Sequence, residues 1–319
     1  MRRVALLALA TLALAGCGGP GRPVDLANVT TVDAPQPEEV RPAEPPKPGA
    51  QAPNCGDPTA SLRPNGLAVT PNSTMAKIRD RGRLIAGVDQ NTYLFGFRNP
   101  ASNSLEGFDI DMARQVAKAL FGDENKVQYK VITSKDREDV LVRGDVDIVV
   151  RTYTINCDRE QKVAFSSVYY DTGQRVLVDK NSPAKGMDDL GGKRVCANAG
   201  STSIDAIAKN PAKPVAISVP NWSDCLVLLQ QGQVAAVSTD EPILAGMAAQ
   251  DPNLKIVGPK LTVEPYGIGI PKANTDMVRY VNAVLEKIRG DGSWQQSYDQ
   301  WVGGRTGVQA TPPAPKYRD

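Results

Sequence analysis

The sequence of 319 residues contains no histidine. A Ser-His-Asp triad, a Cys-His pair, a histidine-ligated metal and a histidine proton shuttle are therefore excluded. An excess of charge of one sign is also lacking, because 37 Lys and Arg residues stand against 35 Asp and Glu residues. A chain with so little net charge has no sequence-independent attraction to nucleic acid or anionic lipid. Functions that need a basic surface are excluded, and no nucleic-acid partner is expected.

The apolar stretch at the N-terminus is too short to span a membrane. It follows Met-Arg-Arg and ends in small residues, which is typical of a secretory signal, predicted here as residues 1–16. The four residues from Leu14 to Cys17 resemble the bacterial lipobox, in which the cysteine is diacylated on sulfur and becomes the new N-terminus. The alternative is a plain signal with an incidental cysteine. We expect an extracytoplasmic protein that is anchored to the cell membrane by lipidated Cys17.

A Cys-x-x-Cys pair is absent, which argues against a redox or zinc site. Besides Cys17 there are four cysteines, and an even number in an oxidising compartment favours two disulfides, with three possible pairings. Cys196 ends one predicted strand and Cys225 lies in the helix after the next strand, which favours a bridge within one βαβα unit. By elimination Cys55 pairs with Cys157 and ties the N-terminal arm to a loop of the folded part.

Proline-rich composition marks both ends of the chain. Residues 17–71 are interpreted as an extended arm that is docked only through Cys55, and residues 306–319 as a flexible tail. Between them strands and helices alternate, which is typical of parallel sheets covered on both faces. The predicted strands are 83–88, 127–132, 146–150, 194–197, 215–219 and 234–238, and the predicted helices are 108–121, 201–209, 222–231 and 242–250, with a short helix after residue 136.

Two such units in roughly 240 residues predict two lobes. Lobe 1 is predicted to comprise residues 72–170 and 266–305, and lobe 2 residues 174–262. Two segments, near 169–173 and 262–266, are interpreted as two crossings of one hinge. Two lobes on a double hinge form a cleft and close over a ligand. We expect a monomer.

Small ligands of open α/β sheets bind at the carboxyl ends of the strands. The segment Thr152 to Arg159 follows the apolar run 148–150 and offers hydroxyl groups, peptide groups and a guanidinium for a carboxylate. Asp240 follows another strand and can accept a cation. Together these groups suit the two halves of an α-amino acid. The residues that follow the predicted strands are Asp89, Ser134 to Arg137, Thr152 to Arg159, Asn198 to Ser203, and Thr239 with Asp240.

The segment Gly200 to Ser203 opens a predicted helix, whose free amide groups favour an anion. A simple helix N-cap is the alternative interpretation of this segment. Arg159 has an alternative too, as a solvated charge between Asp158 and Glu160. The combination of an anion-binding helix end, an arginine, two threonines and an acid favours a ligand site.

Residues 83–303 resemble the periplasmic polar amino-acid binding proteins, the solute-binding components of amino-acid ABC importers. The resemblance is greatest to the glutamine- and glutamate-binding lipoproteins, and it implies an α/β, two-lobed periplasmic-binding-protein fold of type II, with a mainly parallel sheet and flanking helices in each lobe and a two-strand hinge. The matching blocks are Leu94-Phe95-Gly96-Phe97, Leu105-Glu106-Gly107-Phe108-Asp109-Ile110-Asp111, Gly144-Asp145-Val146-Asp147, Thr154-Ile155-Asn156-Cys157-Asp158-Arg159, Ala164-Phe165-Ser166, Gly200-Ser201-Thr202, Thr239-Asp240, Tyr266-Gly267-Ile268 and Asp291-Gly292-Ser293-Trp294.

The resemblance also implies roles for individual residues. Arg159 would grip the α-carboxylate bidentately, helped by Thr154 and by the peptide groups of Ser201 and Thr202. The carboxylate of Asp240 and the peptide carbonyl of Thr152 would take the α-ammonium group. The aromatic rings of Tyr93 and Phe95 would pack on the ligand. A Cys196–Cys225 disulfide is similar to one found in glutamate-type relatives.

Specificity is assigned by the resemblance to Arg137, which sits where binders of acidic amino acids place an arginine against the distal carboxylate. An unpaired buried arginine penalises a neutral ligand, so this residue favours aspartate or glutamate. Asp89 would repel a carboxylate unless it is offset, and Arg151 is the candidate that offsets it. The alternative for Arg137 is a solvated charge at a helix start, beside Asp136.

The resulting hypothesis is a lipid-anchored binding protein that captures an acidic amino acid, with glutamine and asparagine as further candidate ligands. Its partners would be the amino acid and the membrane permease of an ABC importer; no cofactor and no metal are expected. The alternative is a sensor that signals to a membrane receptor. A dehydratase-like enzyme on the same fold is the remote alternative, since it would need a neutral proton donor in the cleft.

Overall fold

The computed structural model describes residues 34–44, 54–306 and 308–319. The predicted signal, the lipobox and Cys17 lie outside the described residues. Within these ranges, none of the helices has the length and apolar character that spanning a bilayer requires.

The described chain is built from eighteen strands and ten α-helices, most of them short. The strands are β1 Arg41–Pro42, β2 Ala60–Ser61, β3 Leu84–Val88, β4 Asn91–Thr92, β5 Gly96–Arg98, β6 Leu105–Glu106, β7 Val127–Val131, β8 Ile148–Val149, β9 Val163–Phe165, β10 Tyr170–Thr172, β11 Gln174–Asp179, β12 Arg194–Asn198, β13 Val215–Val219, β14 Ala236–Asp240, β15 Leu254–Val257, β16 Glu264–Tyr266, β17 Gly269–Pro271 and β18 Lys316–Tyr317. The helices are α1 Thr74–Arg81, α2 Phe108–Phe121, α3 Arg137–Val142, α4 Cys157–Glu160, α5 Thr202–Lys209, α6 Trp222–Gln230, α7 Glu241–Gln250, α8 Thr275–Gly290, α9 Ser293–Tyr298 and α10 Gly304–Thr306. Short 3-10 turns cover Ser134–Asp136 and Met187–Leu190, and a π-helical turn covers Asp299–Gly303.

The first sheet has the strand order β7-β3-β8-β17-β9 and forms the centre of lobe 1. β3 runs parallel to β7 and β8, whereas β17 is antiparallel to β8 and β9. Helix α2 covers this sheet with apolar residues that recur at helical spacing, since Ile110, Ala113, Ala117 and Leu120 are all buried. The helix ends at Gly122, which takes the left-handed conformation that glycine adopts without a steric penalty.

The second sheet has the order β1-β13-β12-β14-β11-β15 and forms the centre of lobe 2. β12 runs parallel to β13 and β14, and β11 is antiparallel to β14 and β15. Helices α5, α6 and α7 each follow one of the strands β12, β13 and β14. Their N-terminal ends therefore lie at the carboxyl edge of the sheet, where a ligand is expected.

Two neighbouring strands connect the sheets. β10 and β16 pair antiparallel, with Tyr170 opposite Tyr266 and Thr172 opposite Glu264. After β16 the chain returns to the first sheet through β17, α8 and α9. The buried ring of Trp294 packs edge-to-face on Phe108, with ring centroids 5.5 Å apart, which holds α9 against α2.

Both cysteine pairs expected from the sequence are disulfides in the structure. Cys196 in β12 bonds to Cys225 in α6, and both are fully buried. Cys55 bonds to Cys157, the first residue of α4, across 102 residues of chain.

The arm was expected to dock only through Cys55 and the tail to be flexible, but the described parts of both make further contacts with the folded lobes. Strand β1 adds to the edge of lobe 2 beside β13, and β2 pairs in parallel with β18 of the tail. Ser61 is buried and donates a 2.8 Å hydrogen bond to the Phe165 carbonyl. The tail is further held by an ion pair of Asp319 with Arg279. The composition of these segments shows only that they have little apolar surface. Their docking depends on backbone hydrogen bonds and an ion pair, which composition does not reveal.

Several element boundaries also differ from prediction. The strand predicted at 234–238 is Ala236–Asp240, and the one predicted at 146–150 shortens to Ile148–Val149. Asp240 thus ends β14 and precedes α7 directly, because the buried pattern of this strand continues to that residue.

Candidate functional site

A small cavity of about 10 Å³ lies between the two lobes. This is about the space that one water molecule needs, so the two lobes are almost in contact here and would have to part for a larger ligand to enter. Lobe 1 lines it with residues that follow β7 and β8, and lobe 2 with residues at the starts of α5, α6 and α7. The lining residues are Ser134, Arg137, Thr152, Thr154, Ser201, Thr202, Ser203, Trp222, Thr239, Asp240 and Ile243.

Two buried arginines of lobe 1 lie beside this cavity and share one aromatic ring. The guanidinium carbons of Arg137 and Arg159 lie 4.5 Å and 5.0 Å from the centre of the Tyr153 ring. Both also donate to the carbonyl oxygen of Gly200 in lobe 2, at 3.1 Å and 3.4 Å. Arg159 donates at 2.6 Å to the carbonyl of Thr154 and does not itself line the cavity. The two cations are therefore held close together and face the opposite lobe.

The charge of Arg137 is not compensated. No carboxylate of the described residues lies within 4.0 Å of its nitrogens, whereas Arg159 has Glu138 at 3.8 Å. Burial, together with the positive charges of Arg159 and Arg151, lowers the pKa of Arg137 to about 9. An uncompensated buried cation is costly in a protein interior, so this position favours an anionic ligand group.

Asp240 provides the opposite charge in lobe 2. Its Oδ2 accepts a 2.5 Å hydrogen bond from the Tyr266 hydroxyl, whereas Oδ1 is buried and has no partner among the described residues. Burial and then the nearby carboxylate of Glu264 raise the pKa of Asp240 from 3.8 to about 8. A ligand ammonium group would offset both causes and would pair with the free oxygen.

The start of α5 combines a helix cap with close contact between the lobes. Ser201 caps the helix by accepting a 3.1 Å hydrogen bond from the Ile204 amide, as the N-cap alternative predicted. Gly200 has a φ of +73°, and a Cβ atom added there would lie 2.6 Å from the Cα of Lys135. Only glycine fits this position, because both the backbone angle and the approach of lobe 1 exclude a side chain.

Thr152 sits in an uncommon backbone conformation. Its φ is +38°, which is unfavourable for a β-branched residue. The Asp109 carboxylate holds it by accepting the Thr152 amide hydrogen at 2.8 Å, and the Tyr169 hydroxyl donates to the other carboxylate oxygen at 2.6 Å. Burial raises the pKa of Asp109 to about 6. The Thr152 carbonyl accepts a hydrogen bond from Arg137, so this conformation sets part of the cavity wall.

Asp89 and Arg151 pair with each other beneath the cavity and do not line it. Arg151 Nη2 lies 3.0 Å from Asp89 Oδ2, and both side chains are buried. Arg151 also donates to the Ile132 carbonyl and the Ser134 hydroxyl. The sequence suggested that Arg151 offsets the charge of Asp89, and the two side chains do form an ion pair. Neither of them lines the cavity, so their charges compensate each other outside the ligand space.

Three further candidates from the sequence lie outside the cavity wall. Phe95 is fully buried in the lobe 1 core, where its ring packs on Phe108 and Tyr170. Tyr93 is half-buried against Phe97. Asn198 is fully buried at the end of β12, with both amide atoms unpartnered among the described residues. Neither ring contacts the cavity, because the turn after β3 directs Phe95 into the core.

Some residues of the site were not among the candidates. Trp222 follows β13, and the strand-end rule that selected the other candidates applies to it equally. Tyr153 lies within the segment that the sequence singled out, but its role as a platform for two arginines depends on their positions in space. Ser134, Ser203 and Thr239 were named at the strand ends without a role, and they line the cavity together with Ile243. Glu264 and Tyr266 reach it from the second connecting strand.

Comparisons with known proteins agree with this architecture. Residues 84–304 match the family model of bacterial extracellular solute-binding proteins, family 3. The ABC transporter glutamine-binding protein GlnH of Bacillus subtilis is 40% identical over 230 residues, which are 72% of this chain and 84% of that protein. The glutamate-binding protein GluB of Corynebacterium efficiens is 32% identical over 239 residues, which are 70% of this chain and 80% of that protein.

A solved structure supports the same conclusion about the fold. An ancestral arginine-binding protein bound to glutamine superimposes with a TM-score of 0.66 at 35% identity, covering 70% of this chain and 99% of that one. The predicted two-lobed, type II periplasmic-binding-protein fold is confirmed, as is the resemblance found in the sequence. The chain belongs to the bacterial extracellular solute-binding proteins, family 3.

Proposed function

We propose that this protein binds an acidic amino acid, aspartate or glutamate, in the cavity between its lobes. The observation that carries the proposal is Arg137, which is 3% exposed and has no carboxylate partner among the described residues. The names of the two relatives, a glutamine-binding and a glutamate-binding protein, support an amino acid of this size and shape.

The polar groups of the site match the three charged groups of such a ligand. Arg159 and Thr154 would hold the α-carboxylate, which replaces the neutral Gly200 carbonyl as acceptor and makes stronger, charge-assisted hydrogen bonds. The free Oδ1 of Asp240 would accept the α-ammonium group. Arg137 is then left for the side-chain carboxylate.

Charge balance favours the acid over its amide. Arg159 already has the Glu138 carboxylate at 3.8 Å, whereas Arg137 has no carboxylate partner among the described residues, and the side-chain carboxylate of an acidic ligand would supply one. Glutamine carries no net charge and would leave Arg137 buried without an anion. An unpaired buried charge costs several kcal/mol, so we expect acids to bind at least about tenfold more tightly than amides.

Closure of the lobes completes the site, since its groups come from both sides of the cleft. Contacts across the cleft already include Asn91 Nδ2 donating to Asn221 Oδ1 at 3.1 Å, in addition to those of Gly200. We further propose that the closed form is held at the membrane by lipid on Cys17 and hands its ligand to the permease of an ABC importer. The Bacillus subtilis relative is a glutamine-binding protein of an ABC transporter, which supports the transporter assignment.

Titration calorimetry with aspartate, glutamate, asparagine and glutamine tests the ligand assignment. We expect Arg159→Met to abolish binding of all four and Arg137→Met to bring the affinities of acids and amides together. The Arg137→Met variant should fold, because methionine has a volume similar to that of arginine and because no carboxylate loses its partner when Arg137 is removed. Arg143→Met is the matched control, because Arg143 is exposed and pairs with Asp145.

Two results would count against the assignment. Equal affinities of the wild type for acids and amides would refute the role of Arg137. Failure of every amino acid to bind would refute the binding function itself. The anchor has its own test: Cys17→Ser should move the protein from the membrane to the soluble fraction and remove the lipid mass from its N-terminal peptide.

A further inference from the structure

Trp222 occupies a position in the cleft that the proposed ligand assignment does not use. It is the first residue of α6, directly after the loop that follows β13, and it is 2% exposed. Trp222 and Ile243 line the ligand cavity and also an adjoining pocket, whose other wall includes Asn91 and Tyr93 of lobe 1. Trp222 therefore forms part of the partition between the ligand space and this second pocket.

The indole nitrogen of Trp222 is a buried donor without an acceptor among the described residues. The other two tryptophans of the chain differ in this respect. Trp294 Nε1 donates to the Tyr169 carbonyl at 2.8 Å, and Trp301 Nε1 donates to Asp111 Oδ2 at 2.7 Å. A buried polar group without a partner is unfavourable, so an unpaired donor beside a ligand cavity points to a ligand acceptor.

The other polar groups of the cavity indicate which ligand atom this acceptor is. Arg159 and Asp240 suffice for the α-carboxylate and the α-ammonium group. Ser203 and Thr239 are occupied with each other through a 3.0 Å hydrogen bond between their hydroxyls. Of the remaining cavity residues, Trp222 has a donor that is both buried and free. The distal end of the ligand side chain is left as its partner.

We propose that Trp222 donates its indole N–H to a side-chain oxygen of the bound amino acid and selects ligands that carry one. This inference rests on the proposed function of the cavity. An indole N–H is a donor only, so it donates to a carboxylate or an amide oxygen and disfavours an ammonium or an apolar end. Arg137 then discriminates acid from amide, whereas Trp222 discriminates both of them from ligands without an oxygen.

The substitution Trp222→Phe tests the proposal, because phenylalanine keeps an aromatic ring and loses the donor. The probes are glutamate, glutamine and norvaline, which has a side chain of similar length without a polar atom. We expect the affinity for glutamate to fall by about 10- to 100-fold and that for glutamine by about 3- to 10-fold, in line with hydrogen bonds to charged and neutral acceptors. Norvaline, measured by displacement, should lose less than about threefold.

The outcomes separate this inference from its alternatives. An equal loss for all three probes would mean that Trp222 only packs against the ligand, and an unchanged affinity for glutamate would mean that it does not face the ligand; either result overturns the proposal. If the wild type binds none of the probes, the proposed function fails instead. Trp294→Phe is the matched control, since it removes a paired indole from the lobe 1 core and should leave the preference for glutamate over norvaline unchanged.

Discussion

Replacing Asp240 with asparagine separates two effects of its buried carboxyl group, one on ligand binding and one on stability. In the ligand-free protein, burial and Glu264 raise the pKa of Asp240 from 3.8 to about 8. The group is therefore mostly protonated at pH 6.5. A ligand ammonium group pairs with the ionised form, so ligand binding below pH 8 should release one proton.

The size of the binding effect follows from this single proton. Between about pH 5.5 and pH 7.5 the affinity should rise about tenfold per pH unit, which corresponds to about 1.4 kcal/mol. Asp240→Asn has no proton to release, so its affinity should be independent of pH over this range. It also loses the anion that pairs with the ammonium group, and we expect binding at pH 7.5 to be weaker by at least about 100-fold.

Raising the pH has opposite effects on the two properties: it strengthens ligand binding but destabilises the ligand-free protein. The folded protein holds the Asp240 proton more tightly than the unfolded chain does, so stability falls as pH rises from about 4 to about 8. At pH 7 the loss amounts to about 4 kcal/mol as an upper limit, because opening of the lobes lets water reach the carboxylate. Asp240→Asn should therefore make the ligand-free protein more stable at pH 7 while it weakens binding.

Calorimetry at pH 6.5 in two buffers of different ionisation enthalpy measures the proton release, and urea unfolding at pH 5, 6, 7 and 8 measures the stability. Asp188→Asn, on the exposed surface of lobe 2, is the control and should behave as the wild type in both assays. The reasoning is refuted if the wild type and Asp240→Asn release the same number of protons. A wild-type affinity that stays constant from pH 5.5 to pH 7.5 would refute it equally.

Three further predictions concern the contacts around the cleft and the ends of the chain. Gly200→Ala should weaken ligand binding at least about tenfold and increase the radius of gyration with ligand present, because its Cβ would meet Lys135 on closure; calorimetry and small-angle scattering check this, and unchanged affinity would contradict it. Loss of the Cys55–Cys157 disulfide in a double serine variant should lower the free energy of unfolding by about 3–5 kcal/mol, given its loop of 102 residues; equal urea midpoints for variant and wild type would argue against this. Deletion of residues 311–319 removes β18 and the ion pair of Asp319, and should cost about 1–2 kcal/mol in the same assay, whereas a truly flexible tail would be dispensable.

The alternation of strands and helices was readable from the sequence because it rests on local patterns. Helix α2 shows this, since its apolar residues recur at helical spacing and all of them are buried. The strand-end rule was equally local, and it led to Arg137, Thr152 and Asp240 before any distance was known. Both disulfides could also be predicted from the sequence, because four cysteines allow only a few pairings.

The docking of the arm and the tail could not be predicted in this way. Strands β2 and β18 are two residues each and lie more than 250 residues apart in the chain, and neither has an apolar pattern. Their pairing depends on edges of structure that exist only after the lobes have folded. The direction of the Phe95 side chain was equally unpredictable from the sequence, since the turn after β3 decides whether its ring faces the ligand or the core.

The class of the protein, the order of its elements and the types of residue at the strand ends all follow from local sequence patterns. The tertiary structure alone decided which of the buried charges are compensated. Arg151 and Arg137 are both buried arginines at the edge of the same lobe, yet Arg151 lies 3.0 Å from Asp89, whereas Arg137 has no carboxylate partner in the described chain. The physical reason is that ion pairing depends on separations of a few ångströms, which are set by the packing of distant segments and not by residue type or spacing. That difference is the reason why we propose Arg137, and not Arg151, as the residue that selects an acidic ligand.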